Sequence, residues 1–461
     1  MSVETIDLVR DTTMQNINEA MNVQNVILAS IAGQTGGLNF TSFADIRQLV
    51  RMGLHKTLFH IGDQLVVEKE TSIAATVGNP EGTAGITAAS VNVETFLDAL
   101  GTAHAGEYEF IFDGVEWQFR SEPVSLTAYG ITITGTPIQG DVIVVHEATK
   151  EIVFDIVGID EDTPADSNFT HSLTLLAHDC IDLWQFDSAE ALYFCETALE
   201  AGTYCFTLPA GYDTAYGGGE TYNFTLTSDV PAGGVLTFPW VYNTQAASIK
   251  VSSYADRSTT TAIESVSVAV GEAGTNLGTA DGTSANMNHI QRVRYGSNNW
   301  LESDIRERLN SSAAVGALSW TPKTMWSRKP TWNATAAGFL YGLDKDFVNA
   351  LGKVIKTTSK NTVTGGGGGM QSEELIFLPS RSEIFGTAEI SGVNEGNIYS
   401  YYKNATSAER IKTMSGSARV WWLRTPSASG ANIVRGVDPS GVLSYVSASN
   451  SLGVAPACCI V

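Results

Sequence analysis

Residues 421–445 read WWLRTPSASGANIVRGVDPSGVLSY. Two of the bulkiest side chains lead straight into a stretch dominated by small residues, polar residues and glycine. Trp421, Trp422 and Leu423 are consecutive, so strand alternation sends Trp422 to one face and its neighbours to the other. All three bury only if the strand is covered on both sides. Arg424 is then placed to hold a nearby carboxylate or backbone carbonyl bidentately. Pro426 and Gly430 end the strand. Beyond it, Ser427, Ser429, Asn432, Arg435, Asp438, Ser440, Tyr445, Ser447, Ser449 and Asn450 have the composition of a paratope. Short polar groups supply adaptable hydrogen bonds, and a tyrosine and an arginine supply anchors. The same composition also describes an ordinary Ser/Gly-rich surface.

The rest of the chain sets the context. At 461 residues it is too long for one core and fits about three domains. Its 49 acidic against 27 basic residues, net −22, repel phosphate backbones and anionic lipid, so neither nucleic acid nor a membrane surface is an expected partner. The opening MSVETIDLVRDTT lacks the basic and apolar regions of a secretory signal, and no apolar run approaches the roughly 20 residues of a membrane span. The odd, sparse set Cys180, Cys195, Cys205, Cys458 and Cys459 predicts free buried thiols in a protein made in a reducing cytosol.

The pattern along the chain predicts a β-rich α+β fold. Met14, Ile17, Met21, Leu28 and Ile31 form an a/d seam within an N-terminal oligomerisation helix, 1–35. The seam fits self-association, with a trimer the natural count, and it also fits a helix lying on its own domain. A discontinuous N-terminal domain is expected at 36–70 and 149–195, interrupted by an inserted β module at 71–148 with short aromatic and β-branched runs such as YEFIFDGVEWQF. A second β module follows at 196–285 and a C-terminal domain at 286–461. Helices are expected from Ser303 and over KDFVNALGKVIKTT, with the pentaglycine 365–369 as a flexible tip.

Catalytic signatures are missing. There is no GxxxxGK[ST], GxSxG or HExxH. His171 and His178 are seven apart, a spacing that puts them on opposite faces of a strand, as solvated or satisfied side chains rather than ligands. DEDTPAD (160–166) and DKD (344–346) lack the glycine and closing glutamate of an EF-hand and read as solvated turns. No segment singles out a carboxylate pair for glycoside hydrolysis. No catalytic residue, metal or cofactor is expected.

One set of motifs carries a resemblance. GSNNWLESDIRERLNS, SWTPKTMWSRKPTW, GFLYGLD, FLPSRSEIFG, WWLRTP and a closing GVAPA occur in this order. Together they resemble the C-type-lectin-like domain of phage and gut-bacterial proteins, found in bacteriophage tropism determinants. FADIRQLVRMGLHKTLFHIGDQLVV and EGNIYSYYKNATSAERIK also resemble parts of such modular proteins, and residues 108–148 resemble a small β module recurrent in phage virions. GVAPA departs from the pattern, which usually carries arginine where this chain has alanine. Formylglycine-generating enzymes share the broad fold and need catalytic cysteines. Cys458 and Cys459 sit outside that pattern, so no enzymatic role is carried over.

The resemblance implies a virion structural protein, made in the host bacterial cytoplasm and carried on the virion. It implies a receptor-binding adhesin that presents the 427–450 face to a host cell-surface protein or glycan and binds multivalently through self-association. Other virion proteins are expected partners. Tyr399, Tyr401 and Tyr402 either join the face or pack beneath it. A capsid decoration or head-fibre protein is one alternative, and a virion-associated glycan-active enzyme is another.

Overall fold

Two long antiparallel strands, Gln64–Gly78 and Val142–Ile159, run side by side from Gln64↔Asp155 to Gly78↔Val142, with one bulge between Glu70 and Ser72. In the second, Ile143 and Val145, then Ile152, Phe154 and Ile156, are buried at alternate positions, and Val142, Asp155 and Val157 are buried as well. The computed structural model describes residues 42–100, 107–188, 193–207, 220–237, 246–253, 261–267, 269–271, 274–279, 295–320 and 330–461. The helix expected at 1–35 lies outside them, as do 286–294 and most of SWTPKTMWSRKPTW. The described residues form a β-rich α+β fold. They divide into two compact units: one from residues up to Leu175 with Leu340–Val354 and Cys458–Val461, the other from Leu176–Phe339 and Ile355–Ala457.

In the first unit, Ser42 caps the helix Phe43–Arg51 by accepting from the Asp45 amide. Ile46, Leu49 and Val50 are buried, and Phe43 meets Phe347 of the helix Lys345–Ala350 edge-on, 5.0 Å between ring centres. Arg47 and Arg51 both donate to the Val461 carbonyl. The strand Leu173–Ala177, whose first three residues belong to this unit, is buried at every residue, as LTLLA requires when both faces are covered.

The expected boundaries at 70/71 and 148/149 fall inside the two long strands, which continue into the 71–148 segment. That segment has its own aromatic core, in which Phe110 stacks on Phe119 at 4.7 Å and Phe96 packs edge-on to Tyr108. Asp141, fully buried, accepts from the amides of Gly85, Ile86 and Ile138 and from Asn79, closing the module's turns.

The second unit contains a five-stranded sheet in the order Asp182–Gln185, Ser451–Val454, Trp421–Pro426, Ile433–Val437, Leu443–Ser447. Trp421, Trp422 and Leu423 have no solvent exposure, so the strand is covered on both sides. The β module of this unit pairs Gly202–Thr207 with Thr221–Leu226 over buried Phe206, Tyr222 and Phe224. KDFVNALGKVIKTT is not one helix. It is helical over Lys345–Ala350, and Val354–Ser359, rich in β-branched residues, is a strand. None of the five cysteines forms a disulfide, and all five are buried.

Candidate ligand-binding face

The face grows from the strand quoted at the outset. Trp421 pairs with Val437 and Trp422 with Gly436, but Pro426 pairs with Val434, so the strand bulges away from its partner between them. Within that bulge the Arg424 amide turns to the Pro379 carbonyl instead, 3.0 Å away. The side chain follows it inward. Arg424 is fully buried and grips Glu383 through both oxygens, Nη1 to Oε2 at 2.6 Å and Nη2 to Oε1 at 3.0 Å. It also donates to the carbonyls of Leu378 and Glu395, at 2.8 and 2.7 Å.

Glu383 is the hub beneath the face. It sits at the third position of the helix Arg381–Phe385, reaching back to the Ser380 amide while the Ser380 hydroxyl accepts from its own amide. Lys356 adds a third charged group, donating to Glu383 at 2.9 Å and to the Tyr399 hydroxyl at 2.8 Å. Burial pushes the Glu383 carboxyl up, but Arg424 and Lys356 outweigh it and hold the group below the usual carboxylate range. Glu395 differs: burial dominates and raises it, although it accepts from the Ser359 amide and the Thr425 hydroxyl. Tyr399 and Tyr402 are buried, Tyr399 beneath the face through its bond from Lys356, and Tyr401 is half-buried.

Two further groups fix the loops above this hub. Asn298, buried, donates to the Gly430 and Ile433 carbonyls at 2.6 and 2.9 Å and accepts from Asn361 at 2.7 Å. The Asn361 carbonyl oxygen in turn accepts from the amides of Val363, Thr364 and Gly365. The pentaglycine is therefore an organised turn: Gly366, Gly367 and Gly368 all have φ near +70°, a run that only glycine adopts without strain. Thr362 bonds the Ala428 carbonyl, setting this turn beside the 427–430 loop.

The second group is Glu389. It takes a bidentate pair from Arg435, at 2.8 and 2.7 Å, a bond from Arg381 at 2.7 Å, and the Ala428 amide. Burial raises its carboxyl, and the Arg435, Ala428 and Arg381 bonds overcome this and lower it. At the hairpin tip, Gly441 has φ +78°, and a Cβ there would lie 1.8 Å from the Ser407 carbonyl oxygen.

The residues singled out from sequence therefore separate. Ser427 and Asn432 are buried, the latter donating to the Ser447 hydroxyl. Asp438 folds onto its own turn, accepting from Ser440 and Val442. Arg435 is committed to Glu389 and stands 5.8 Å from the Tyr445 ring. Ser447 and Ser449 are half-buried, and Ser429, Ser440 and Asn450 are exposed. Tyr445 is 66% exposed and Val442 52%, the large hydrophobic groups that this hairpin presents to water.

Sequence reasoning did not find Asn298, Glu383 or Glu389. Glu383 had a local signal, the Ser380-to-Glu383 capping box in SRSE. Asn298 and Glu389 had none, because their partners are distant in the chain.

No curated protein and no solved structure matches the chain. Residues 276–461, which carry the whole of this face, are similar to a family described as a domain of unknown function (DUF6273).

Proposed function

We propose that the chain is a bacteriophage virion protein that recognises the host surface: a receptor-binding adhesin whose C-terminal domain is C-type-lectin-like and binds its ligand through the hairpin face. The observation that carries the reading is Tyr445, an aromatic side chain two-thirds exposed on the outer strand of a sheet whose underside is locked by Arg424 and Glu383. A rigid aromatic group on a fixed platform, with Ser429, Ser440, Val442 and Asn450 also exposed, binds with little ordering cost. Arg435 and Asp438 serve the face by holding it rather than by meeting the ligand. In this reading the protein binds a host protein or glycan and does not turn it over, uses no cofactor at the hairpin face, and gains strength from several copies on one virion.

The test uses the full-length protein against glycan arrays and bacterial envelope fractions. Saturable binding that falls at least about tenfold in Tyr445→Ala, a loss of about 1.4 kcal/mol, supports the reading. Equal binding by Tyr445→Ala and the parent chain removes this face as the site. Binding to capsids alone favours a decoration or head-fibre protein instead.

A further inference from the structure

We propose that His55, Asp160 and His171, in the first unit, form a divalent-metal site suited to zinc. The three donors come from separate segments: the start of the short helix His55–Leu58, the residue after the strand Val142–Ile159, and the residue two before Leu173–Ala177. His55 Nε2 lies 3.0 Å from Asp160 Oδ1, and His171 Nδ1 lies 3.0 Å from Asp160 Oδ2. One donor atom from each residue falls within 4.8 Å of the others. In a tetrahedral zinc shell with bonds of about 2.0–2.1 Å, neighbouring donors are about 3.3 Å apart, so the His–Asp contacts already match and the widest pair closes by at most about 1.5 Å.

The local backbone serves this convergence. Asp160 adopts φ +55°, a conformation that costs a non-glycine residue. It is held there by Ser172, whose amide donates to Asp160 Oδ1 and whose carbonyl accepts the Asp160 amide. Gly53, φ +71°, leaves the room that His171 fills, since a Cβ there would sit 2.9 Å from His171 Nε2.

The cluster already attracts a cation. The Lys56 ammonium reaches Asp160 Oδ2, and its side chain is half exposed, so it can swing into water when a metal enters. Two imidazoles and one carboxylate favour zinc and its transition-metal neighbours over magnesium or calcium, which prefer all-oxygen shells. Water fills the fourth position. Loading moves the His55 ring proton from Nε2 to Nδ1. That atom is buried and has no hydrogen-bond partner among the described residues, which limits affinity to a moderate value.

Full-length protein, stripped with a chelator and titrated with zinc chloride by calorimetry, tests the site. The expected result is one zinc per chain, with zinc raising the melting temperature. Saturable binding disappears in His171→Ala, whose partly exposed side chain makes it the safer variant to fold, with circular dichroism as the check. Lys56→Gln removes the competing cation and tightens binding several-fold, whereas magnesium binds none of the variants. No saturable uptake, equal uptake by folded His171→Ala, or weaker uptake by Lys56→Gln would overturn the proposal.

Discussion

Replacing Glu383 by glutamine changes one atom of a fully enclosed side chain and leaves its shape intact. The consequence is electrostatic. Arg424 and Lys356, 0% and 2% exposed, both point at this carboxylate, and the amide would strip two buried cations of the carboxylate charge that both of them bond. Breaking a buried pair by removing one partner costs about 3–5 kcal/mol. Replacing both partners by apolar groups is often neutral, so the cost measures the stranded charge rather than the value of the bridge.

A second signature follows from pH. The folded carboxyl lies below its ordinary value, so its contribution is complete above the unfolded carboxylate range near 4.3 and fades as the pH falls through the folded value. Protonating the native side chain then removes the same charge as the substitution. Urea unfolding of the full-length protein, followed by tryptophan emission at pH 7 and pH 3, reads both effects. Glu383→Gln should lose about 3–5 kcal/mol at pH 7, and the gap to the parent should narrow at pH 3. A loss below about 1 kcal/mol at pH 7, or a gap unchanged by acid, would refute the hub as described.

The remaining predictions concern the same unit. Trp422→Ala removes a buried ring that donates to the Trp184 carbonyl and packs edge-on against Phe186, and should cost about 3–5 kcal/mol in the same unfolding assay. Tyr445→Ala should leave the melting temperature within about 1 °C of the parent while weakening ligand binding, because its ring is largely in water. Arg435→Ala, by contrast, should cost about 1.5–3 kcal/mol, since it removes a bidentate pair from an almost fully buried carboxylate. Equal stability losses for Tyr445→Ala and Arg435→Ala would contradict the division of the hairpin into an exposed anchor and a structural brace.

Local pattern and side-chain size alone dictate part of this fold. WWL followed by a polar run meant a strand covered on both sides, and Trp421, Trp422 and Leu423 are fully enclosed. SDIRERL and SRSE carried their own caps, and both start helices. Arg424 in such a strand had to find acceptors inside. Which acceptors it found was a tertiary decision. Glu383 is 41 residues away, and only a bulge that frees the Arg424 amide for Pro379 brings the two together. Arg435 read as an anchor for a ligand because composition reveals a charge without its partner, and Glu389, 46 residues away, took it. His55 and Asp160 are 105 residues apart, so no spacing rule could pair them. A side chain's bonding capacity is written in its chemistry, but its partner is chosen by strand register and loop closure, which long-range packing alone sets.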